Sequence, residues 1–255
     1  MHTFCFCVSL LFTATYLCSL TSYCFSAPQI GCIELFRQES LLSLANETSG
    51  TCGYLFIPYV FNLLWVPASS YLILFRLWTT NSLKSKTFAS VALIFSAVFV
   101  IIAESIYIIQ LFTIFPKVVQ FQVIPPAYWS WTLDNQTSHA FFLNKLAYCF
   151  FGLSCGFLGL SYEFDDRTPD HKTPESSTNN TYTLNMFMRD LFLLHGCFAL
   201  LALYGFLSET IVFELPLYFY YTFGLPPSFI LYSWDCLEKI ANTQRTERSA
   251  KVLLD

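Results

Sequence analysis

Long apolar runs alternate with short polar ones along the chain, and six of the runs reach the length of about 20 residues that a helix needs to cross the hydrocarbon core of a bilayer. They cover residues 3–25, 54–76, 88–114, 140–162, 188–207 and 211–234. Helices are the form expected, because backbone N–H and C=O groups facing lipid have no partners except each other. The pattern predicts an all-α fold, a polytopic membrane protein with about six transmembrane helices in a single domain spanning 1–255. Only Ser208, Glu209 and Thr210 separate the fifth and sixth runs, which predicts a tight antiparallel hairpin. The other connections are about 11 to 28 residues long.

The first run has a second reading. Residues 1–26 resemble a cleaved signal peptide in their small residues near 22–27, but they lack a basic n-region and are long for an h-region, which favours an uncleaved anchor. Segment 163–187 reads as a mobile cytosolic loop, since five acidic residues and two prolines lie among Ser, Thr and Asn between 163 and 183. Residues 235–255 form a cytosolic tail, of which 235–241 continues the last helix.

Composition agrees with the runs. The 255 residues are 55% hydrophobic and 12% charged, with mean hydropathy +0.52, more apolar surface than a soluble domain of this size can hide. Aromatic residues make up 19% and suit helix ends at the headgroup level. A net charge of -4 is small and dispersed, which excludes nucleic acid as a partner and leaves membrane lipid, or another membrane protein. Ten of the thirteen basic residues flank the second connection, the fourth connection and the tail, so those segments and both termini are expected in the cytosol. The glycosylation sequons at Asn46 and Asn135 then face the lumen and can carry glycan, whereas Asn179 faces the cytosol and stays bare. These features place the chain in the secretory pathway, in the Golgi, another endomembrane or the plasma membrane. The dileucine near the C-terminus is a weak sorting signal, because Ser249 stands where Asp or Glu is needed.

Of the ten cysteines, Cys5, Cys7, Cys18, Cys149, Cys155 and Cys197 lie in apolar runs and read as small hydrophobes. Cys32 and Cys52 bracket the first lumenal loop, where a disulfide would restrain about 20 residues by a few kcal/mol. The alternatives are two free thiols, or Cys24 as a competing partner. No CxxC or Cys/His spacing resembles a zinc or redox site, so neither metal nor cofactor is expected.

Charged and polar residues inside the runs carry the sharpest functional signal, because one at midbilayer costs at least about 2.5 kcal/mol on insertion. Glu104 lies in the third run, Lys145 in the fourth and His195 in the fifth, with Asn62 in the second and Asn144 in the fourth. At about 1.5 Å per residue, Glu104 lies roughly 15 Å below the lumenal end, Asn62 roughly 12 Å, His195 roughly 18 Å and Lys145 roughly 8 Å. Glu104, Asn62, Lys145 and His195 can therefore meet in the lumenal half. Such a cluster is either a binding or proton-handling site with Glu104 as its central acid, or a Glu104 contact with Lys145 or Asn62 that only holds helices together. Proton-shuttling enzymes often use two acids of separated pKa, and no second carboxylate lies deep in a run. Gly152, Gly156 and Gly159 allow a close helix approach, more often within a chain than between chains. Pro67, Pro216, Pro226 and Pro227 are expected to kink their helices.

The third run opens Phe88-Ala89 with Ala92-Leu93, and the connection after it reads Gln120-Phe121, Pro125 and Trp129. Over this middle third, and in total length and spacing of runs, the chain resembles the transmembrane protein 187 family of small six-span proteins. The resemblance implies a multi-pass endomembrane protein of the Golgi with no assigned chemistry, and it brings no catalytic residues. The loop with Cys32 and Cys52 is similar to that of the tetraspan transmembrane protein 179 family, against which two extra C-terminal runs count. Leu215-Pro216-Leu217-Tyr218-Phe219 is similar to the last helix of sterol-isomerase-like proteins, which place acids in a sterol pocket.

The first expectation for function is a non-enzymatic membrane protein that binds a lipid, a small molecule or a partner membrane protein. The alternatives are a lipid-modifying enzyme resembling sterol isomerases, with Glu104 as acid, and a transporter or receptor. Against the latter, the chain shows no internal repeat and lacks the seventh span of a G-protein-coupled receptor.

Overall fold

The computed structural model describes residues 2–26, 57–80, 82–121, 125–133, 137–165, 178–208, 210–232 and 234–235. Cys32, Cys52, Asn46 and Asn135 lie outside them, as do 166–177 and 236–255. The described elements are helical throughout: α1 (His2–Ser26), α2 (Ile57–Thr79), α3 (Leu83–Ile109), α4 (Phe115–Phe121), α5 (His139–Asp165), α6 (Thr178–Leu207), α7 (Leu215–Phe223) and α8 (225–232). Four helices, Ile57–Thr79, Leu83–Gln120, His139–Glu163 and Met186–Leu207, are long and apolar enough to cross a membrane. They fit an integral membrane protein. In α1 the comparable apolar stretch is the shorter Phe6–Ser19.

The sixth run differs most from the continuous span 211–234 that hydropathy predicts. A 3-10 turn at Ile211–Phe213 leads into α7, which begins with Pro216 in its first turn and stops at Gly224. Pro226 and Pro227 then fall in the first turn of α8, where a missing N–H breaks no helical hydrogen bond. Glycine and three prolines thus divide the run into two short helices.

The third run is longer than expected. A π-helical turn at Gln110–Ile114 carries it into α4, with the Phe115 N–H donating to the Gln110 carbonyl. Pro116 has no N–H for the carbonyl of Phe112, and the turn before it widens. The fourth connection is shorter than 163–187, because α5 runs to Asp165 and α6 starts at Thr178, both helices extending beyond the apolar stretch into polar residues.

The core is aromatic. Phe12 of α1 packs 3.9 Å from Phe229 of α8 and 5.6 Å, edge to face, from Trp65 of α2, measured between ring centroids. Phe99 of α3 stacks on Phe151 of α5 at 4.7 Å. Lipid tails are as apolar as these side chains, so packing and hydrogen bonds, not water exclusion, hold such helices together. Hydroxyls supply the bonds. Ser70 of α2 meets Ser96 of α3 at 2.6 Å, and Ser154 of α5 donates to the Ala92 carbonyl of α3 at 2.7 Å. Ser85, Ser161 and Thr80 form a further cluster across α3, α5 and the end of α2. Tyr232 of α8 donates to the Leu72 carbonyl, and Tyr16 of α1 to that of Tyr221.

Helices α5 and α6 cross on glycine. A Cβ on Gly156 would lie 2.9 Å from the Gly196 Cα, and one on Gly159 would lie 2.9 Å from the Leu193 backbone nitrogen. The small-residue stripe of α5 therefore serves packing inside the chain.

Candidate functional site

Asn62 sits in the second turn of α2, and its amide oxygen is used twice. Its Oδ1 accepts from Ser19 Oγ of α1 at 2.6 Å and from Trp65 Nε1 at 2.8 Å. The buried amide thus ties α1 to α2 and orients the central tryptophan.

Lys145 lies in the second turn of α5 and pairs with Glu214, whose Oε2 is 2.8 Å from Nζ. Glu214 is the N-cap residue of α7 and is buried. The lysine ammonium also lies 4.9 Å from the Phe141 ring centroid. Sequence reading gave Lys145 to Glu104 or to the headgroups and missed Glu214, although a carboxylate four residues into an apolar run was a visible signal.

His195 occupies the centre of α6 with no exposed surface. Its ring stacks on Tyr220 at 4.5 Å and meets Tyr221 and Phe151 edge to face at 5.0 and 5.7 Å. Neither ring nitrogen has a hydrogen-bond partner among the described residues. Nε2 faces Gly152, where an added Cβ would lie 3.4 Å away. Backbone and aromatic rings enclose the imidazole, and the Tyr220 hydroxyl is directed elsewhere, to the Leu191 carbonyl at 2.8 Å.

Glu104 lies on α3, at the edge of the buried face formed by Phe99, Ala103 and Tyr107 and beside the exposed Ile101 and Ile108. Its side chain is half-buried, with Oε1 enclosed and without a hydrogen-bond partner among the described residues. Because the helical path continues to Phe121, Glu104 lies about 25 Å from that end and about 31 Å from Leu83, deeper than the run length implied.

The four residues therefore have four different neighbourhoods. None hydrogen-bonds to another among the described residues, and the shared lumenal cluster expected of them is replaced by an α1–α2 lock, a Lys145–Glu214 ion pair, an aromatic-boxed imidazole and a single half-exposed carboxyl. The difference arises from both depth and rotation: the extension of the third run sets Glu104 deeper than Lys145, and side chains at one depth meet only if they share an interface.

Two further polar features escaped the sequence reading. Gln110, in the π-helical turn, donates from Nε2 to the Trp131 carbonyl at 2.6 Å and accepts at Oε1 from the Leu133 N–H at 3.3 Å, pinning the turn at Pro126–Trp131 against α3. Arg76, read only as a topology marker, is buried with its guanidinium 3.9 Å from the Tyr162 ring centroid. Among the described residues, no three His, Cys, Asp or Glu side chains gather as metal ligands. Cys7, Cys18, Cys149, Cys155 and Cys197 are free thiols. Compared with protein-family models, curated proteins and solved structures, the chain matches none.

Proposed function

We propose that the chain is a six-span protein of the secretory pathway, with both termini in the cytosol, that binds a membrane lipid, a small apolar molecule or a partner membrane protein without transforming it chemically. The observation that supports binding is the half-buried Glu104 carboxyl, which has no partner among the described residues and lies deep in the longest apolar helix described. A charge or acid there is costly unless something meets it, and such residues in membranes mark sites by default. Binding is favoured over catalysis because Glu214, another carboxylate inside an apolar run, is already engaged by Lys145, and His195 lies in an aromatic box.

The remaining two spans of the proposal are α1 and the α7–α8 pair. Phe12 and Tyr16 of α1 pack against Trp65 and Phe229, so removing residues 1–26 as a signal peptide would strip the central aromatic cluster. The Cys32–Cys52 disulfide, glycans on Asn46 and Asn135, and Golgi residence, as the transmembrane protein 187 resemblance implies, belong to the same proposal. Glycosidase-shift mapping of Asn46→Gln, Asn135→Gln and Asn179→Gln chains checks its topology: a shift at Asn179, in the first turn of α6, would invert it.

Native mass spectrometry of the full chain extracted in mild detergent tests the binding reading. The expected result is an added mass on the wild-type chain that is lost in Glu104→Leu at equal protein yield. Collapse of the yield, or a chain with no added mass, would overturn it.

A further inference from the structure

The outward face of α3 has a second property besides the carboxyl. Ile94, Ile101 and Ile108 recur at intervals of seven residues and are each about half or more exposed, at 63%, 67% and 47%. Between them, at the alternate three- and four-residue spacing, fall Ala97, which is exposed, and Glu104, which is half-buried. Together these positions make an apolar seam of period 3.5, the repeat with which one helix supercoils on another. The opposite face of α3 is occupied: Ser96 bonds to α2, while Ala92, Phe99 and Tyr107 contact α5 through Ser154, Phe151 and Tyr148. The seam is not part of those contacts, and Glu104 is its one ionisable member.

Resting on the reading of Glu104 as a binding group, we propose that this seam docks a transmembrane helix of another protein, and that the docked helix carries a lysine or arginine that meets the Glu104 carboxyl. Three observations select a helix with a basic side chain over the other occupants. The seam runs from Ile94 to Ile108, about 21 Å of helix, and its acid lies about 25 Å from the nearer end of the helical path, deeper than a lipid headgroup sits. Ala97 is small and exposed, one turn from Ile101, and lets a backbone approach closely. Glu104 lacks a cation among the described residues, and a polar residue at one seam position fixes both register and partner. A second copy of this chain would set Glu104 against the same seam, which offers no cation.

The test uses the full chain, fused to a donor fluorophore and reconstituted in phosphatidylcholine vesicles. The probes are acceptor-labelled polyleucine transmembrane peptides with a central lysine or, as reference, a central leucine. The lysine peptide is expected to associate about tenfold more tightly than the leucine peptide, the equivalent of about 1.4 kcal/mol. Glu104→Leu should abolish that preference, and Ala97→Phe should weaken both peptides by blocking the seam. Equal binding of the two peptides to the wild-type chain would overturn the proposal and needs no variant to fold. So would efficient disulfide cross-linking of Ile101→Cys chains to one another, which would make the occupant a second copy. A bound mass that depends on Glu104, combined with no preference for the lysine peptide, would leave the binding reading standing and remove this inference alone.

Discussion

Two acidic residues, one paired inside the bundle and one unpaired at the edge of an outward face, separate two regions of the molecule. At the α5–α7 corner, Glu214 is buried and Lys145 reaches it across the gap at 2.8 Å, so charge is neutralised inside the chain. On the outward face of α3, Glu104 has neither a cation nor a hydrogen-bond donor among the described residues, although it lies deeper in its helix. Asn62 and the serine contacts show that polar groups at the helix interfaces find partners, and the buried exception, His195, is enclosed by aromatic rings, whereas Glu104 borders the outward face of α3. An acid without a partner among the described residues, at the edge of an outward face, is what the proposed binding role requires.

The sharpest contrast between interior and seam comes from adding bulk. Gly156→Leu drives a side chain into the Gly196 backbone and is expected to cost about 3 kcal/mol or more, seen as loss of monodisperse protein on size-exclusion chromatography. Ala97→Leu, on the exposed seam, should leave that profile unchanged. Next in size is Lys145→Met, which breaks the ion pair and is expected to destabilise by about 2 kcal/mol, less than a fully buried pair because the lysine is partly exposed. A double-mutant cycle with Glu214→Leu should recover most of the loss; simple additivity would mean that the pair contributes nothing. The smallest effect is that of Ser154→Ala, which removes one interhelical bond to the Ala92 carbonyl and should lower stability by about 0.6 kcal/mol.

The sequence made the helices visible and hid their rotations. Apolar runs located α2, α3, α5 and the apolar part of α6 within a few residues, Gly152, Gly156 and Gly159 announced a tight crossing, and Pro216, Pro226 and Pro227 announced the broken end. These signals are local, since each depends on one residue type at one place. The site was not legible in the same way. In a soluble helix, period 3.6 separates a core face from a wet one, whereas here both faces are apolar and depth alone remained to group Asn62, Glu104, Lys145 and His195. Ser19, the partner of Asn62, comes from α1, and Glu214, the partner of Lys145, comes from a turn that hydropathy merged into a span. The heptad of Ile94, Ile101 and Ile108 was present in the sequence throughout, but it acquires meaning only once the other face of α3 is seen to be occupied.

The most direct measurement is the thermal midpoint of the purified full chain in one detergent, compared among wild type, Lys145→Met and Glu104→Leu. If Glu104 serves an external partner, replacing it removes an unsatisfied carboxyl from the isolated chain, and the Glu104→Leu midpoint will equal or exceed that of wild type while Lys145→Met falls. A Glu104→Leu midpoint that drops as far as that of Lys145→Met would show that the carboxyl holds the bundle together, and would contradict its assignment as a binding group.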